Sequence, residues 1–526
     1  MGDPLNDRGN AAEALGLVAA AAGPYLDALP DLPVRDASRA HLLDDLDGPL
    51  PESGEGAPAA VAELLRIGTG AATHSSGPRF FHFVVGGATP AAQAADWVTS
   101  LLDQAGGLWL ASPLAARAES VVLRWLKELL GLPPGYGGVL TPSATFANLT
   151  GLACARWWWA RRHGVDVTAD GLVGLPRMPV FSSGYVHASS RKALQVLGLG
   201  RDAVRTPTRD DAGRLDTAAL DRLLADEGPA VLIGNAGEVN GGDHDPIDEM
   251  ADLAARHGAW LHVDGAFGLF AALSPRTAHL VRGIDRADSL AADGHKWLNV
   301  PYESGVAFVR DPEVLGRAFG GWNAPYLPDP DEEFVNYNNL GPESSRRARA
   351  LPIWATLRAY GREGHRAMVE RHHDLALRVG RRVGESPDLE LLAPVAVFVV
   401  CFRFRPPGVP EDELDGLNRR LGEELVADGR VYAGTTVYRG VVALRPAIVN
   451  WRTTEGDVDL LVEVVREIGA RVLAARRSAG TQHPGTQHPG TQHPGTQHPG
   501  RQHPGTQHPG TQHPGRQHPG TQHPGT

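Results

Sequence analysis

Short apolar runs alternate with amphipathic stretches through the middle of this chain. Residues 178–181, 230–233, 260–263 and 306–309 are mostly apolar, the pattern of buried strands. Helical periodicity is found at 191–197, 217–225 and 247–256. Strands separated by helices predict a mainly parallel sheet covered by helices. Upstream, Ser112-Pro113 sets an N-cap serine before a proline at the first helical position. The amphipathic helix that follows should run to Gly131, where glycine and two prolines stop it. Residues 10–22 are Ala-rich and helical in character, closed by Leu29-Pro30-Asp31-Leu32-Pro33.

A second α/β pattern begins near residue 361, with apolar or amphipathic segments at 395–404, 414–427 and 458–475. The expected organisation is a helical arm over 1–78, a large α/β domain over 79–360, a smaller C-terminal α/β domain over 361–477 and a tail over 478–526. From Gly480 the tail repeats Gly-(Thr/Arg)-Gln-His-Pro nine times. Proline at every fifth position and no apolar side chain preclude a core, so disorder is expected. Nine of the 22 histidines lie there; the repeat reads as a solvated expansion, and no metal site is expected.

Composition narrows the class. At 526 residues and 42% apolar, the chain can build two or three domains with large cores. Net charge is −11, and −13 without the tail, which carries only Arg501 and Arg516, so no nucleic-acid partner is expected. Cys154 and Cys401 both lie in apolar runs and read as reduced, buried thiols of a cytoplasmic protein. The N-terminus lacks a basic segment followed by an apolar one, and no run approaches bilayer length, so neither secretion nor membrane insertion is expected.

The basic residues carry the chemical clue. Only three lysines stand against 47 arginines, and one of them, Lys296, sits in Asp293-Gly294-His295-Lys296-Trp297. Lysine retained in such a chain points to work a guanidinium cannot do, above all a primary amine that forms a Schiff base. Lys127, within the helix near 114–130, is expected on a solvated face.

Pyridoxal phosphate asks a protein for an amine, a carboxylate at its pyridine nitrogen, a cradle for its phosphate and a group over its ring. Lys296 offers the amine. Asp264, 32 residues earlier at the end of a predicted strand, offers the carboxylate. The small-residue segment 137–145 leads into a helix, whose N-terminus presents free N–H groups to a phosphate. His187 precedes another helix and could stack on the ring.

Together these segments resemble the group II pyridoxal-phosphate decarboxylases, the family of aromatic L-amino acid and glutamate decarboxylases, over roughly residues 25–475. Asp264-Gly265-Ala266 followed by His295-Lys296-Trp297 is similar to the family's Asp-x-Ala and His-Lys-Trp motifs. Further landmarks are Thr73-His74 through Pro78-Arg79-Phe80, Ser112-Pro113 with Glu119 through Leu130-Gly131-Leu132-Pro133, Arg346-Arg347-Ala348-Arg349, and Thr453-Thr454-Glu455 through Leu461.

The resemblance implies a fold type I α/β enzyme, aspartate aminotransferase-like, with a mainly parallel seven-stranded sheet and a smaller C-terminal α/β domain. It also implies a homodimer with active sites at the interface and the N-terminal arm embracing the partner. His187 would stack on the cofactor, Ser143, Ala144 and Thr145 would contact its phosphate, and Asn148 would support that phosphate site. Lys296, Asp264, Ala266 and His295 complete the cofactor set. A loop after the lysine strand would supply Tyr326 as proton donor once CO₂ leaves, with Tyr337 as second candidate.

The implied activity is decarboxylation of an L-amino acid with an aromatic or apolar side chain, Trp97, Trp109, Phe80 and Phe83 being the candidate pocket aromatics. Alternatives are aldehyde synthesis or carbon–carbon bond cleavage or formation from the same intermediate. A non-catalytic scaffold fits poorly with the intact Lys, Asp and His set. Two departures stand out. Phe83-Val84-Val85-Gly86-Gly87 replaces an aromatic-Pro-Thr stretch, and Asn235-Ala236-Gly237-Glu238 replaces a segment that commonly places Thr near the cofactor oxygen. Glu238 either backs the site or faces solvent.

Overall fold

The computed structural model describes residues 3–183, 185–207, 215–320 and 335–481. Seven strands, β1 (Gly137–Thr141), β2 (Val180–Ser182), β3 (Val204–Arg205), β4 (Val231–Asn235), β5 (Trp260–Asp264), β6 (Ser289–Asp293) and β7 (Gly305–Val309), form one sheet. Their order is β1-β7-β6-β5-β4-β2-β3. Only β7 runs against its neighbours. The remaining pairs are parallel, as the strand and helix alternation predicts.

All four predicted strands are present, and three more join them. β6 escaped notice because Ser-Leu-Ala-Ala-Asp is short in bulky apolar residues. β1 lies inside the segment expected as a turn, because Gly137-Gly138 looks like loop chemistry. The structure corrects this: the chain is extended through Thr141, and the helix begins at Ala144. Gly138 is needed for packing, since a Cβ there would stand 2.9 Å from the Phe308 ring on β7.

The helix Pro113–Leu130 starts and stops where expected, with Gly131 left-handed at φ 72°. Ser112 differs from expectation: its hydroxyl makes no cap bond but donates to Gln104 Oε1 at 2.9 Å. Lys127 is also corrected. It is half-buried, and its ammonium donates to the carbonyls of Pro134 (2.6 Å) and Tyr136 (2.8 Å), securing the turn that feeds β1.

A second, antiparallel sheet follows, ordered β10-β11-β9-β8, from β8 (Leu389–Leu391), β9 (Phe402–Phe404), β10 (Thr435–Tyr438) and β11 (Val441–Leu444). The predicted extended run at 395–404 is regular strand only in its last three residues. Helix Glu411–Asp428 and the helix from Glu455 bury Leu414, Leu421, Val458 and Leu461 against this sheet, a core of its own.

The two sheets are joined by helix Ala350–Glu385, which is broken at Gly361 (φ 59°). A polar tie reinforces the junction: Trp297 Nε1 donates to His372 Nδ1 (3.0 Å), and His372 Nε2 donates to the Asn450 carbonyl (3.0 Å). Residues through Arg476 pack as one compact unit. Most of the repeat tail, from residue 482, lies outside the described residues. No helix among the described residues is long and apolar enough to cross a membrane.

Candidate active site

Asp264 ends β5 and Asp293 ends β6, two paired parallel strands, so the chemistry gathers where ligands of open α/β sheets bind. Beyond Asp293 the chain makes a tight turn, Gly294–Leu298, in which Lys296 leaves helical geometry (φ −86°, ψ −106°). Asn299 follows in the left-handed region at φ 57°. Its side-chain amide donates to the carbonyls of Trp297 and Val449, both at 3.0 Å, which holds the turn shut. Gly86 crosses directly over it, donating its N–H to the His295 carbonyl at 2.9 Å. Any Cβ at Gly86 would overlap the Lys296 carbonyl oxygen. One departure from the expected aromatic-Pro-Thr stretch therefore has a steric reason.

Lys296 keeps part of its surface open while its neighbours in the turn are buried. Burial pulls its pKa below the ordinary lysine value, opposed by the charges of Asp293 and Asp264, while Arg445 adds to the fall. A depressed amine is more often neutral, the form that attacks an aldehyde. The Phe267 ring lies 5.8 Å from Nζ.

Asp264 is buried, and its two oxygens are treated unequally. Oδ2 accepts from Asn148 Nδ2 (3.0 Å) and Ser190 Oγ (2.9 Å). Oδ1 has only a long contact, 3.3 Å, from the amide of Ala266. That oxygen has acceptor capacity to spare for an N–H. Asn148, expected to support the phosphate site, gives its side-chain amide to this carboxylate.

Ser143 is the N-cap of helix Ala144–Arg162 but makes no side-chain cap bond. Asp293 Oδ2 accepts the Ala144 amide at 2.7 Å, and the next two amides, of Thr145 and Phe146, have no acceptor within their own helix. Asp293 Oδ1 and His295 Nδ1 stand 2.6 Å apart, yet both are buried without a hydrogen bond among the described residues. Above them the His295 ring stacks on Tyr302 at 4.1 Å.

His187 caps helix Ala188–Val196, its Nδ1 accepting from the Ser189 amide (3.2 Å) and hydroxyl (2.7 Å). The ring is open on one side, but the protein packed around it pushes its pKa below the ordinary imidazole value; Asp264 opposes that fall, and Lys296 and Arg445 add to it. His187 thus feels the charges of Asp264 and Lys296, and Lys296 feels that of Asp264.

Other expectations fare differently. Tyr326 lies outside the described residues. Tyr337 is buried in the large core, its hydroxyl bonded to Ser120 Oγ at 2.8 Å and its pKa pushed up by burial. Glu238 does not face solvent: it is 4% exposed, accepts from Asn240 (2.6 Å) and the Gly241 amide (2.6 Å), and its pKa is raised by burial. Of the four candidate pocket aromatics, Phe80 stacks on Tyr432 in the core and Trp109 packs against the large sheet's core. Trp97 and Phe83 are exposed, and Phe83 is held at φ 56° by Arg445, whose guanidinium donates to its carbonyl at 2.6 Å. Arg445, Ser190, Asp293 and His262 were not singled out from the sequence.

The donor set fits pyridoxal phosphate. A half-buried lysine feels the charge of a carboxylate whose Oδ1 has one long contact among the described residues, and the Thr145 and Phe146 amides have no acceptor within their own helix.

Comparison with known proteins agrees. The family described as pyridoxal-dependent decarboxylase conserved domain matches residues 41–405. An aromatic-L-amino-acid decarboxylase of Bacillus atrophaeus is 29% identical over 458 residues, covering 85% of this chain and 93% of its own. A phenylacetaldehyde synthase of Arabidopsis thaliana is 27% identical over 470 residues, covering 85% and 94%. Among solved structures, Oryza sativa TDC with PLP and tryptamine superposes with a TM-score of 0.82 at 27% identity, covering 90% of this chain and 99% of that one.

Proposed function

This chain belongs to the pyridoxal-dependent decarboxylase family and takes pyridoxal phosphate as cofactor, and from that premise we propose that it converts an aromatic L-amino acid to its amine and CO₂. The observation that supports this reading is that Asp264 and the turn bearing Lys296 follow paired strands, while Asn148 links Asp264 to Ser189, which bonds His187. The aromatic side chain is supported by the similarity to an aromatic-L-amino-acid decarboxylase and by the exposed Phe83 ring, whose backbone carbonyl Arg445 holds.

When bound, the cofactor supplies the electron sink for the pair that departing CO₂ leaves behind. Lys296 would hold it by its amine. Asp264 Oδ1 keeps a proton on the ring nitrogen. The phosphate would meet Ser143 and the amide of Thr145 at the helix N-terminus, beside Ala144, whose own amide Asp293 accepts, with His295 nearby and Ala266 following Asp264. His187 covers the ring and limits how the substrate carboxylate turns. Tyr326 returns the proton to Cα, an assignment that rests on its place in sequence after the lysine turn.

We also propose a homodimer. Helix Ala11–Ala28 buries none of its residues, and Leu15, Leu64, Trp97, Leu101 and Leu110 are exposed, more apolar surface than a lone subunit ordinarily shows to water. Free, buried Cys154 and Cys401 support a reducing, cytoplasmic setting.

The test is a panel of L-amino acids with CO₂ and organic product both quantified. Aromatic substrates should give the highest kcat/KM, with amine matching CO₂; Tyr326→Phe should release CO₂ without matching amine. Preference for an acidic or small side chain, or aldehyde as the main product, contradicts the proposal.

A further inference from the structure

His262, on β5 two residues before Asp264, is fully buried and touches none of the groups assigned above except Asn148. Its hydrogen bonds have one consistent direction. Asn148 Nδ2 faces the Asp264 carboxylate, so the amide oxygen faces away, toward His262 Nε2 at 2.9 Å. The reverse orientation would press that oxygen against a carboxylate. Nε2 therefore carries the proton, and Nδ1 accepts from Ser289 Oγ at 2.9 Å. Ser289 Oγ in turn accepts from Trp260 Nε1 at 3.0 Å.

The chain of donors thus runs Trp260, Ser289, His262, Asn148, and at Asn148 it divides. One branch reaches Asp264 Oδ2 at 3.0 Å; the other reaches Ser189 Oγ at 3.3 Å, whose own hydroxyl lies 2.7 Å from His187 Nδ1. Room for the imidazole is made by Gly151, where a Cβ would stand 2.7 Å from the ring.

We propose that His262 is a positioning residue for both sides of the cofactor site, fixing through Asn148 the carboxylate of Asp264 and the imidazole of His187. A neutral imidazole suits the task, because with Nε2 donating to Asn148 its Nδ1 is left to accept the Ser289 hydroxyl. Burial holds it neutral, lowering its pKa to about 4. Asp264 then meets no competing cation from its own strand, and Oδ1 would keep acceptor capacity for a ring N–H. The inference rests on the cofactor assignment and is independent of which amino acid is decarboxylated.

The test uses the full chain loaded with pyridoxal phosphate labelled with ¹⁵N in the ring, without substrate. Solid-state ¹⁵N NMR reads the protonation of that nitrogen, and ultrafiltration reads cofactor retention. His262→Leu should weaken retention about tenfold, the scale of leaving buried polar groups unpaired, and shift the nitrogen toward its unprotonated signal. His262→Gln, which can donate to Asn148 and accept from Ser289, should restore both. Ser289→Ala should shift both in the same direction by less, and decides the matter if His262→Leu does not fold.

A wild-type ¹⁵N signal in His262→Leu or, failing that variant, in Ser289→Ala overturns the proposal, even if melting temperature falls. So does a Gln variant as defective as Leu. Wild-type protein that holds no cofactor overturns both this inference and the function beneath it, and is told apart because the loss then precedes any substitution.

Discussion

The carboxylate of Asp293 accepts the backbone N–H of Ala144 at 2.7 Å, which ties the end of β6 to the first turn of helix Ala144–Arg162. The strand that leads into Lys296 and the helix whose N-terminus is proposed to meet the phosphate are thereby held as one piece. Asp293 also acts on Lys296 through charge, opposing the fall that burial imposes on its pKa.

Asp293→Asn should therefore lower the Lys296 pKa further. Attachment of the cofactor aldehyde needs the neutral amine, so its pH profile in apoenzyme should move toward lower pH. A profile that does not move, or moves upward, contradicts the assignment.

Glu119 and Arg346 form a buried ion pair at 2.8 Å, with side chains 3% and 2% exposed, and Glu119 also accepts the Leu140 amide of β1 at 2.9 Å. Burial raises the Glu119 pKa, and Arg346 works against that rise. Arg346→Met should cost about 3–5 kcal/mol in urea unfolding, because it strands a buried carboxylate. Replacing both partners with apolar residues should cost much less.

Gly86→Ala should behave unlike an ordinary glycine replacement, which at a compatible site stabilises by roughly 0.4–1 kcal/mol. Its Cβ would overlap the Lys296 carbonyl. The fraction of protein in which borohydride fixes the cofactor to Lys296 should fall sharply; an unchanged fraction would show that the turn tolerates displacement.

Much of this site was legible because its parts carry distinctive chemistry. One of only three lysines among 47 arginines and an aspartate ending an apolar run pointed to β6 and β5, and their separation in sequence closes because those strands pair. His262 was not legible: a histidine within the run Trp-Leu-His-Val reads as a core residue, and its partners Ser289 and Asn148 come from distant segments. The one available signal was a polar side chain inside a buried strand, which must find a partner. β1 was hidden because its glycines serve packing against Phe308, which no local pattern reveals. The partners of Asn148 were not legible either, because helix position alone does not say which neighbours its amide meets.

Buried histidines predict acid sensitivity. Burial lowers His82, His244 and His262 to about 4 and His372 to about 3. Unfolded, each titrates near 6.5, so between about pH 6.5 and 4 the unfolded chain binds more protons and stability falls as pH falls. Urea midpoints should decline steadily from pH 7 to pH 4. His262→Gln should flatten that decline, and an unchanged slope would show that His262 is protonated in the native state.

The central claim is decarboxylation through Lys296. Its most direct test is to give the holoenzyme an aromatic L-amino acid labelled in its carboxyl carbon, then count labelled CO₂ and amine beside a Lys296→Ala control. The account predicts equal amounts of both from the wild-type enzyme and neither from Lys296→Ala. Label that stays in the organic fraction, or release that survives Lys296→Ala, would contradict it.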